Sequence, residues 1–367
     1  MVRSGTAFAF GALLAAGHLT QASYLLQETY DATNFFSSFD FFNGSDPTNG
    51  FVQYQSAAGA AANLLAGYSS DQVYLGVDYK TQNPTAGRDS VRVTSKQAFN
   101  KGLFIADITH MPVGCGVWPA FWFFGPNWPS SGEIDVIEGV NSQQTNAVTL
   151  HTSSGCTMSS TGSLASTSAL SSDGDCNAGN GNLGCSSSTT DTSNYGAGFN
   201  AIGGGVYAME WTTSAISVWF FPRGSAECDA LSGQNGTSLT NSTTPTNGIT
   251  PANVTVSATN SSSSGVDPSA WGTPLVTFVG GSTCDIESHF ANQNMVFNIA
   301  LCGDWAGEVF SQDATCSALA STCDEYVAAN PSAFEDAYWL INSVKVYEDV
   351  ATGSATRRAR TVRRFSS

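Results

Sequence analysis

Charged residues are scarce in this chain, and basic residues are the scarcest. Only 11% of the 367 residues are charged, with 13 lysines and arginines against 29 aspartates and glutamates. Six of the 13 lie at Arg3 or between Arg357 and Arg364, so the rest of the chain keeps seven basic residues against 29 acidic ones. Nucleic acids and anionic membranes select basic surfaces. The acidic body argues against both as partners, whereas a neutral polysaccharide is compatible with it.

Metal-ligand spacing and long apolar runs are missing as well. The nine cysteines form no CxxC pair and there are only four histidines, so a zinc site is not expected. After residue 22 no apolar run approaches the ~18 residues of a membrane span. No period of 20–50 residues indicates a repeat architecture. We therefore expect no metal, no other cofactor and no membrane partner.

Residues 1–22 have the form of a secretory signal. Arg3 supplies an early positive charge, residues 8–16 are largely apolar, and Thr20-Gln21-Ala22 offers a cleavage site. An amphiphilic first strand is the alternative interpretation. The cysteine content agrees with export into an oxidising compartment. The sequence thus predicts a secreted, extracellular protein.

Residues 23–350 are expected to form one catalytic domain, because an apolar content of 41% is enough for a full hydrophobic core. The stretch near 223–270 is rich in Ser, Thr, Asn and Gly and is interpreted as a glycosylated loop insertion, with an interdomain linker as the alternative. The insertion also holds Cys228, our choice for the unpaired thiol. Residues 351–367 are arginine-rich and are predicted to form a disordered tail. The acceptor sequons lie at Asn43, Asn235, Asn241, Asn253 and Asn260.

Alternating apolar and polar residues predict an all-β domain. An aromatic cluster from Phe35 to Phe42 is expected to pack at the start of the fold. Residues 152–200 are rich in Ser, Thr and Gly, hold three cysteines, and are predicted to form a disulfide-stapled loop rather than a strand. The predicted strands are Val73–Tyr79, Ser90–Thr94, Gly102–Ile108, Gly205–Trp211, Ile216–Phe221 (paired with the preceding one as a hairpin), Asn294–Leu301 and Tyr338–Tyr347.

The segment Gly132–Gly139 carries three carboxylates in an otherwise β-branched, apolar run, which predicts a strand. Side chains alternate along a strand, so Glu133 and Asp135 share one face. Strict alternation would put Glu138 on the other face. The apolar pair Val136-Ile137 indicates a β-bulge, which shifts the register by one residue. With that bulge, all three acids share one face.

Three acids in a row point to glycoside chemistry. The two glutamate Cα atoms would lie about 13 Å apart, and inward-leaning side chains narrow that to the roughly 5 Å carboxyl gap of a retaining glycosidase. One glutamate would attack the anomeric carbon; the other would protonate the leaving oxygen and then activate water. Repulsion from Glu133 and Asp135 is expected to raise the pKa of Glu138. A solvated acidic face is the alternative, although a structural strand gains little from three repelling charges.

The motifs resemble glycoside hydrolase family 16 in its bulged, laminarinase-like form. This resemblance implies a concanavalin-like β-sandwich jelly roll with a β-glucan cleft on its concave face. It also implies Glu133 as nucleophile, Asp135 as its assistant and Glu138 as acid/base, which spacing alone does not assign. The residues that carry it are Trp118-Pro119-Ala120-Phe121-Trp122, Trp128-Pro129, Gly132–Gly139, His151-Thr152, Tyr207–Trp211, Cys302–Gly307 and Tyr338–Asn342.

The same resemblance suggests which residues would contact the glucan. Trp118, Trp128 and Trp305 match cleft tryptophans, whose aromatic faces suit the C–H faces of sugar rings. His151 matches a His-Thr position that hydrogen-bonds sugar or the catalytic carboxylates. Arg88 resembles an arginine that reaches the negative subsites. The other tryptophans considered are Trp211, Trp219 and Trp339, which are expected in the core, and Trp122, which is left open between cleft and core.

The leading functional hypothesis is a secreted, monomeric endo-β-glucanase that cleaves 1,3 or mixed 1,3/1,4 linkages with retention. The first rival is a wall-remodelling transglycosylase, which needs the same three acids and passes the glycosyl group to sugar instead of water. The second rival is a non-catalytic β-glucan-binding lectin, since fold does not determine function. The presence of both Glu133 and Glu138 argues against the lectin.

Overall fold

A computed structural model describes residues 24–158, 168–171, 174–179, 181, 184–232 and 265–350. The predicted signal, the arginine-rich tail and the four sequons of the insertion lie outside these residues. The fifth sequon, at Asn43, lies on an exposed loop. None of the helices in the described ranges has the length and apolarity needed to cross a membrane.

Strands dominate the described chain. They are β1 Tyr24–Asp31, β2 Phe39–Phe41, β3 Val52–Tyr54, β4 Ala66–Ser69, β5 Gln72–Gly76, β6 Arg88–Ser90, β7 Arg92–Phe99, β8 Gly102–His110, β9 Val117–Phe124, β10 Glu133–Glu138, β11 Ala147–His151, β12 Ser168–Ser171, β13 Cys185–Thr189, β14 Gly205–Trp211, β15 Ala215–Pro222, β16 Val276–Val279, β17 Gln293–Leu301 and β18 Tyr338–Asp349. The helices are short: α1 Phe35–Ser38, α2 Ala57–Ala62, α3 Gly196–Ala201, α4 Ala226–Ser232, α5 Ile286–His289 and α6 Cys323–Ala329.

Two eight-stranded antiparallel sheets form the sandwich. The back sheet has the order β16-β15-β14-β8-β18-β5-β4, with β1 also pairing with β18. The front sheet has the order β12-β13-β11-β10-β9-β17-β7-β2. Aromatic side chains meet between them: Phe104 of β8 lies edge-on to Phe123 of β9 at 5.0 Å between ring centroids. The predicted jelly-roll β-sandwich is confirmed.

Each predicted strand overlaps an observed one. The predicted hairpin is the β14–β15 pair, which runs in register from Gly205 opposite Pro222 to Trp211 opposite Ile216. The predicted strand over residues 90–94 is interrupted, since β6 ends before Val91 and β7 begins after it. Half-buried strands alternate in polarity because one face meets the core, which is why the pattern located them.

The prediction that residues 152–200 form only a loop is wrong. β13 pairs with β11, and β12 pairs with β13, so the front sheet extends two strands beyond the acidic strand β10. The Cys176–Cys185 disulfide ties β13 to the preceding turn. The two strands consist of Ser, Thr and Ala apart from Leu170 and Cys185, and ladder hydrogen bonds hold them beside β11. Such a composition shows no alternation of apolar and polar residues, so periodicity did not reveal these strands.

Both described ends of the insertion pack on the outer face of the back sheet. α4 contributes Leu231 to a buried cluster there, and the Nζ of Lys345 on β18 donates to the Leu231 carbonyl at 2.7 Å. Trp271 lies edge-on to the buried Trp219, with 5.5 Å between the ring centroids. The interpretation of this segment as a surface loop is therefore wrong for α4, whereas Trp271 lies just beyond the predicted insertion.

Cysteines and tryptophans follow the sequence expectations. Cys228 is buried and unpaired, as predicted. Trp211, Trp219 and Trp339 are all buried, the last of them fully, and in the predicted aromatic cluster Phe35 stacks on Phe39 with 4.2 Å between ring centroids. The disulfides are Cys115–Cys316, Cys156–Cys284, Cys176–Cys185 and Cys302–Cys323.

Candidate active site

The predicted β-bulge lies within β10. Asp135 lies opposite Trp122 and Ile137 opposite Phe121, so two residue steps on β10 face one step on β9. Both members of the apolar pair, Val136 and Ile137, are buried in the core. The extra residue returns the last acid of the strand to the face of the other two. The bulge prediction is confirmed, and the three carboxyl groups lie on the outer face of the front sheet.

Two indole N–H groups donate hydrogen bonds to the two glutamates. Trp128 Nε1 donates to Glu133 Oε2 at 2.5 Å, and Trp118 Nε1 donates to Glu138 Oε1 at 2.9 Å. Trp128 is 47% exposed. Trp305 stands perpendicular to Trp118 with 5.5 Å between the ring centroids. The three predicted cleft tryptophans are thus brought together around the acids, with aromatic surface left for a ligand.

All three carboxyl groups of β10 have pKa values above the usual range. Burial raises the pKa of Asp135 well above its usual range, and the Glu133 and Glu138 carboxylates raise it further. Burial and the Glu138 carboxylate raise the pKa of Glu133 to about 8, while Trp128, Arg92 and Asp135 oppose that rise. The two neighbours act on each other in opposite directions, since Asp135 lowers the pKa of Glu133 and Glu133 raises the pKa of Asp135. Because Glu133 also has the Trp128 donor and the Arg92 charge, we place the negative charge on Glu133 and the proton on Asp135.

The third carboxyl group, Glu138, also titrates near neutral pH. Burial raises the pKa of Glu138 to about 7, against the hydrogen bond from Trp118. The expected repulsion from a neighbouring carboxylate is present as well, because the repulsion between Glu133 and Glu138 is mutual. Three groups favour the charged form of Glu133 (Trp128, Arg92 and Asp135), whereas Glu138 has Trp118 alone. When the pair holds one proton we therefore place it on Glu138, the arrangement that a retaining glycosidase requires.

His151 lies beside this pair. It stands opposite Glu133 on β11, and its Nε2 is 3.5 Å from Asp135 Oδ2. Burial lowers the pKa of His151 to about 4, so the imidazole is neutral at neutral pH and can donate or accept one hydrogen bond. Its Nδ1 has no hydrogen-bond partner among the described residues. The predicted histidine is therefore part of the site.

Ligand atoms of Glu133, Asp135 and His151 lie within 4.8 Å of one another, close enough to surround one cation. The raised pKa of Asp135 and the indole donor on Glu133 describe these groups as a proton-holding pair. The expectation that the protein uses no metal stays a prediction.

Arg88 does not belong to the site. Its side chain is fully buried, its Nη2 donates to the Val327 carbonyl at 2.6 Å, and its Nη1 lies 3.3 Å from Asp78 Oδ2. An arginine with no exposed surface has no access to a sugar, so its assignment to the negative subsites is wrong. It ties the β6 region to helix α6 instead.

Sequence reasoning missed Arg92, at the start of β7. Its guanidinium lies 4.9 Å from the ring centres of both Phe42 and Trp122, and Asn298 Oδ1 accepts the Trp122 indole N–H at 2.7 Å. Trp122 therefore belongs to the outer face of the front sheet and not to the core. The signal was present, because Val91 and the residue after Arg92 are core valines that force Arg92 outward by alternation.

Comparison with known proteins agrees with this geometry. Residues 39–256 and 250–347 match the family description "XgeA-like, catalytic GH16 domain". An endo-1,3(4)-beta-glucanase of Arthroderma benhamiae is 43% identical over 306 residues, which cover 82% of this chain and 60% of that protein. The chain spans about half the length of the curated relatives it matches, for example 43% of one from Aspergillus clavatus.

Solved structures are similar over the whole of their chains. Laminarinase 16A from Phanerochaete chrysosporium, determined with beta-glucans in donor and acceptor sites, is 37% identical with a TM-score of 0.76, covering 89% of this chain and 100% of that one. An elongating beta-1,3-glucosyltransferase of family 16 is 38% identical with a TM-score of 0.74 and the same coverage. From its sandwich, its bulged acidic strand and these matches, the chain belongs to glycoside hydrolase family 16.

Proposed function

We propose that this protein is a retaining endo-β-glucanase that hydrolyses 1,3- or mixed 1,3/1,4-linked β-glucans. The observation that carries the proposal is the position of Glu133 and Glu138 on one face of β10, each accepting a hydrogen bond from its own indole donor. The names of the similar proteins, endo-1,3(4)-beta-glucanase and laminarinase, support the substrate class.

In the first step, the Glu133 carboxylate attacks the anomeric carbon while Glu138 gives its proton to the glycosidic oxygen. The C–O bond to the leaving sugar breaks, and a covalent glycosyl–Glu133 ester remains. Asp135 keeps its proton through this step and hydrogen-bonds the carboxylate of Glu133, which steadies the nucleophile before attack. In the second step, the Glu138 carboxylate takes a proton from water, the water oxygen attacks the anomeric carbon, and Glu133 is released.

Binding is assigned to the aromatic surroundings of the acids. Trp118, Trp128 and Trp305 offer apolar surface to sugar rings, and neutral His151 offers a hydrogen bond to a hydroxyl group. Arg92, against Trp122, adds a cation on the same face in place of the buried Arg88. These contacts suit an uncharged, hydroxyl-rich chain rather than an anion.

Transglycosylation is the second candidate, since one of the similar solved structures is named a glucosyltransferase. The reactions share the first step, and they differ in whether water or a sugar hydroxyl reaches the ester. Export, through residues 1–22, and a monomeric state complete the proposal; the four disulfides support an oxidising destination.

The test is a product analysis on laminarin, lichenan and a 1,4-linked glucan, each with and without an added laminari-oligosaccharide. We expect internal cleavage of laminarin and lichenan, reducing ends that appear in proportion to turnover, and little action on the 1,4-linked glucan. Products longer than the added acceptor would favour transglycosylation. Binding of laminarin without release of reducing ends would contradict the proposal, and Glu133→Ala serves as the inactive control.

A further inference from the structure

The bulge in β10 interrupts the hydrogen-bond ladder to β11. The pairing passes from Asp135 opposite Thr149 to Glu138 opposite Ala147, so three steps on β10 face two on β11. Backbone N–H and C=O groups at such a point are deprived of their regular partners, and buried groups left unpaired are costly. The bulge that aims the last acid therefore needs a substitute partner.

Asn146, the residue immediately before β11, is that partner. Its side-chain Oδ1 accepts a hydrogen bond from the Glu138 backbone N–H at 3.0 Å, and its Nδ2 donates to the Val136 carbonyl at 2.8 Å. One amide side chain thus bridges the two ends of the bulge as a peptide group would. Asn146 is fully buried, so its amide and not bulk solvent provides these bonds.

Asn146 is itself fixed by its neighbours. Its backbone N–H donates to Asn194 Oδ1 at 3.3 Å, and its carbonyl accepts from the Thr189 N–H at 3.0 Å. Asn194 exchanges side-chain bonds with Thr189 Oγ1, and its carbonyl accepts the Tyr207 hydroxyl from the back sheet. Elements of both sheets therefore fix the position of this amide, which touches none of the three carboxyl groups in the described chain.

We propose that Asn146 is a positioning residue for the acid/base of the reaction, acting through the bulge; this rests on the proposed role of Glu138. Without the amide, the bulge is free to slip, and a shift of one residue turns a strand side chain to the opposite face. Glu133 and Asp135 precede the bulge and keep their register. Loss of Asn146 therefore removes acid assistance while leaving the nucleophile in place.

Such selective loss has a kinetic signature. Cleavage of natural glucan needs protonation of a poor leaving group. In an aryl glycoside made from a very acidic phenol, the phenolate leaves without protonation. A variant that only weakens the fold loses activity on both substrates together. A variant that misplaces Glu138 loses activity on laminarin and keeps the rate of the glycosylation step on the activated substrate.

The experiment compares Asn146→Ala with wild type on laminarin and on dinitrophenyl β-laminaribioside, the latter by the pre-steady-state release of phenol. We expect kcat/KM on laminarin to fall by roughly 100-fold or more, since general acid catalysis contributes about 10²–10⁴, and phenol release to stay within a few-fold. The matched control is Asn200→Ala, because Asn200 bridges the N–H and carbonyl of Met111 in the same way. It should leave both rates unchanged.

Asn146→Asp is the second variant, for use if the alanine variant folds poorly. A protonated carboxyl group offers one acceptor and one donor, as the amide does, and a charged one offers no donor to the Val136 carbonyl. Its laminarin activity relative to wild type should rise as the pH falls. A ratio that does not change with pH would contradict the proposal.

Equal loss on both substrates, or behaviour like Asn200→Ala, would overturn the positioning role. Glu138→Gln, measured in parallel, separates the two proposals. If Glu138→Gln shows no discrimination between leaving groups, the acid/base role itself fails. If it discriminates and Asn146→Ala does not, the catalytic proposal stands and the role of Asn146 is refuted.

Discussion

The two outer faces of the sandwich differ in whether a buried carboxyl group is paired with a cation. On the back sheet, Asp107 is buried and paired with Arg223, with 2.5 Å between the charged atoms. On the front sheet, no lysine or arginine nitrogen of the described residues lies within 4.0 Å of a carboxyl oxygen of Glu133, Asp135 or Glu138. On the back face an ion pair neutralises the buried acid. On the front face the three acids have no cation in contact, and their pKa values are raised.

This difference separates stability from chemistry. A buried acid beside a cation stays ionised and offers no proton. Acids that are buried together with no cation in contact hold protons at a pH where free carboxylic acids have lost theirs. Only the front face can therefore supply a proton donor and a nucleophile at once, and each prediction below changes one of the two faces.

The largest effect is expected from removing the nucleophile. Glu133→Ala should lower laminarin hydrolysis by about 10³-fold or more, because it eliminates the covalent path and several kcal/mol of barrier reduction. Reducing-end release measures this loss, and azide should restore turnover with inversion. The control is Glu210→Ala on the back sheet, a glutamate whose pKa burial also raises. Similar losses in both variants would show that acid removal damages the fold in general.

Removing the acid/base should give a loss that depends on the substrate. Glu138→Gln cannot protonate a leaving group, so laminarin cleavage should fall by about 10²–10⁴-fold, whereas pre-steady-state glycosylation by a dinitrophenyl glycoside should change by less than about tenfold. Stopped-flow detection of the phenol gives the second rate. An equal reduction on both substrates would mean that Glu138 supports structure instead.

The pH dependence of the front face should follow the protonation of the two glutamates. Activity requires a single proton on the pair, held by Glu138, and the two pKa values lie at about 7 and about 8. The value of kcat/KM should therefore fall as the pH rises through this range and the proton is lost. It should also fall at lower pH, once both glutamates are protonated. Trp118→Phe removes a donor that stabilises the Glu138 carboxylate, so it should move the basic limb to higher pH. An unmoved or lowered basic limb would contradict this electrostatic account.

Breaking the back-face pair should cost stability and little activity. Arg223→Ala leaves the buried Asp107 without its cation, which should lower the free energy of unfolding by about 3 kcal/mol. Chemical denaturation measures this loss, and adding Asp107→Asn to the same chain should recover part of it. Below the unfolding transition, kcat on laminarin should match wild type. A fall in kcat as large as that of the Glu133 and Glu138 variants would contradict the view that the back-face pair serves stability and not catalysis.

Much of the front face was readable from sequence because the signals are local. Alternation places a strand, and two adjacent apolar residues, Val136 and Ile137, within an alternating strand reveal a bulge directly. Arg92 was readable in the same way, from the core valines on either side of it, although Arg88 was chosen. A turn favours an exposed arginine, whereas this fold buries Arg88 against α6.

What sequence did not reveal depends on contacts between distant segments. β13 gains its place from ladder bonds and a disulfide rather than from apolar residues. α4 is too short to show helical periodicity, and it forms because Leu231 finds a buried cluster. The role of the Asn146 amide can be recognised only in the folded structure, where the side chain lies beside the bulge. The burial that raises the pKa of Glu138 likewise comes from the assembled sheet.

The most direct test of the central claim is to trap the glycosyl–enzyme ester. A 2-deoxy-2-fluoro laminaribiosyl glycoside with an activated leaving group should form the ester faster than water removes it, and peptide mass spectrometry then identifies the modified residue. We predict a single label on Glu133 in wild type and in Glu138→Gln, with none in Glu133→Ala. A label on Asp135 or Glu138, or product formation with no trapped ester, would contradict the assignment.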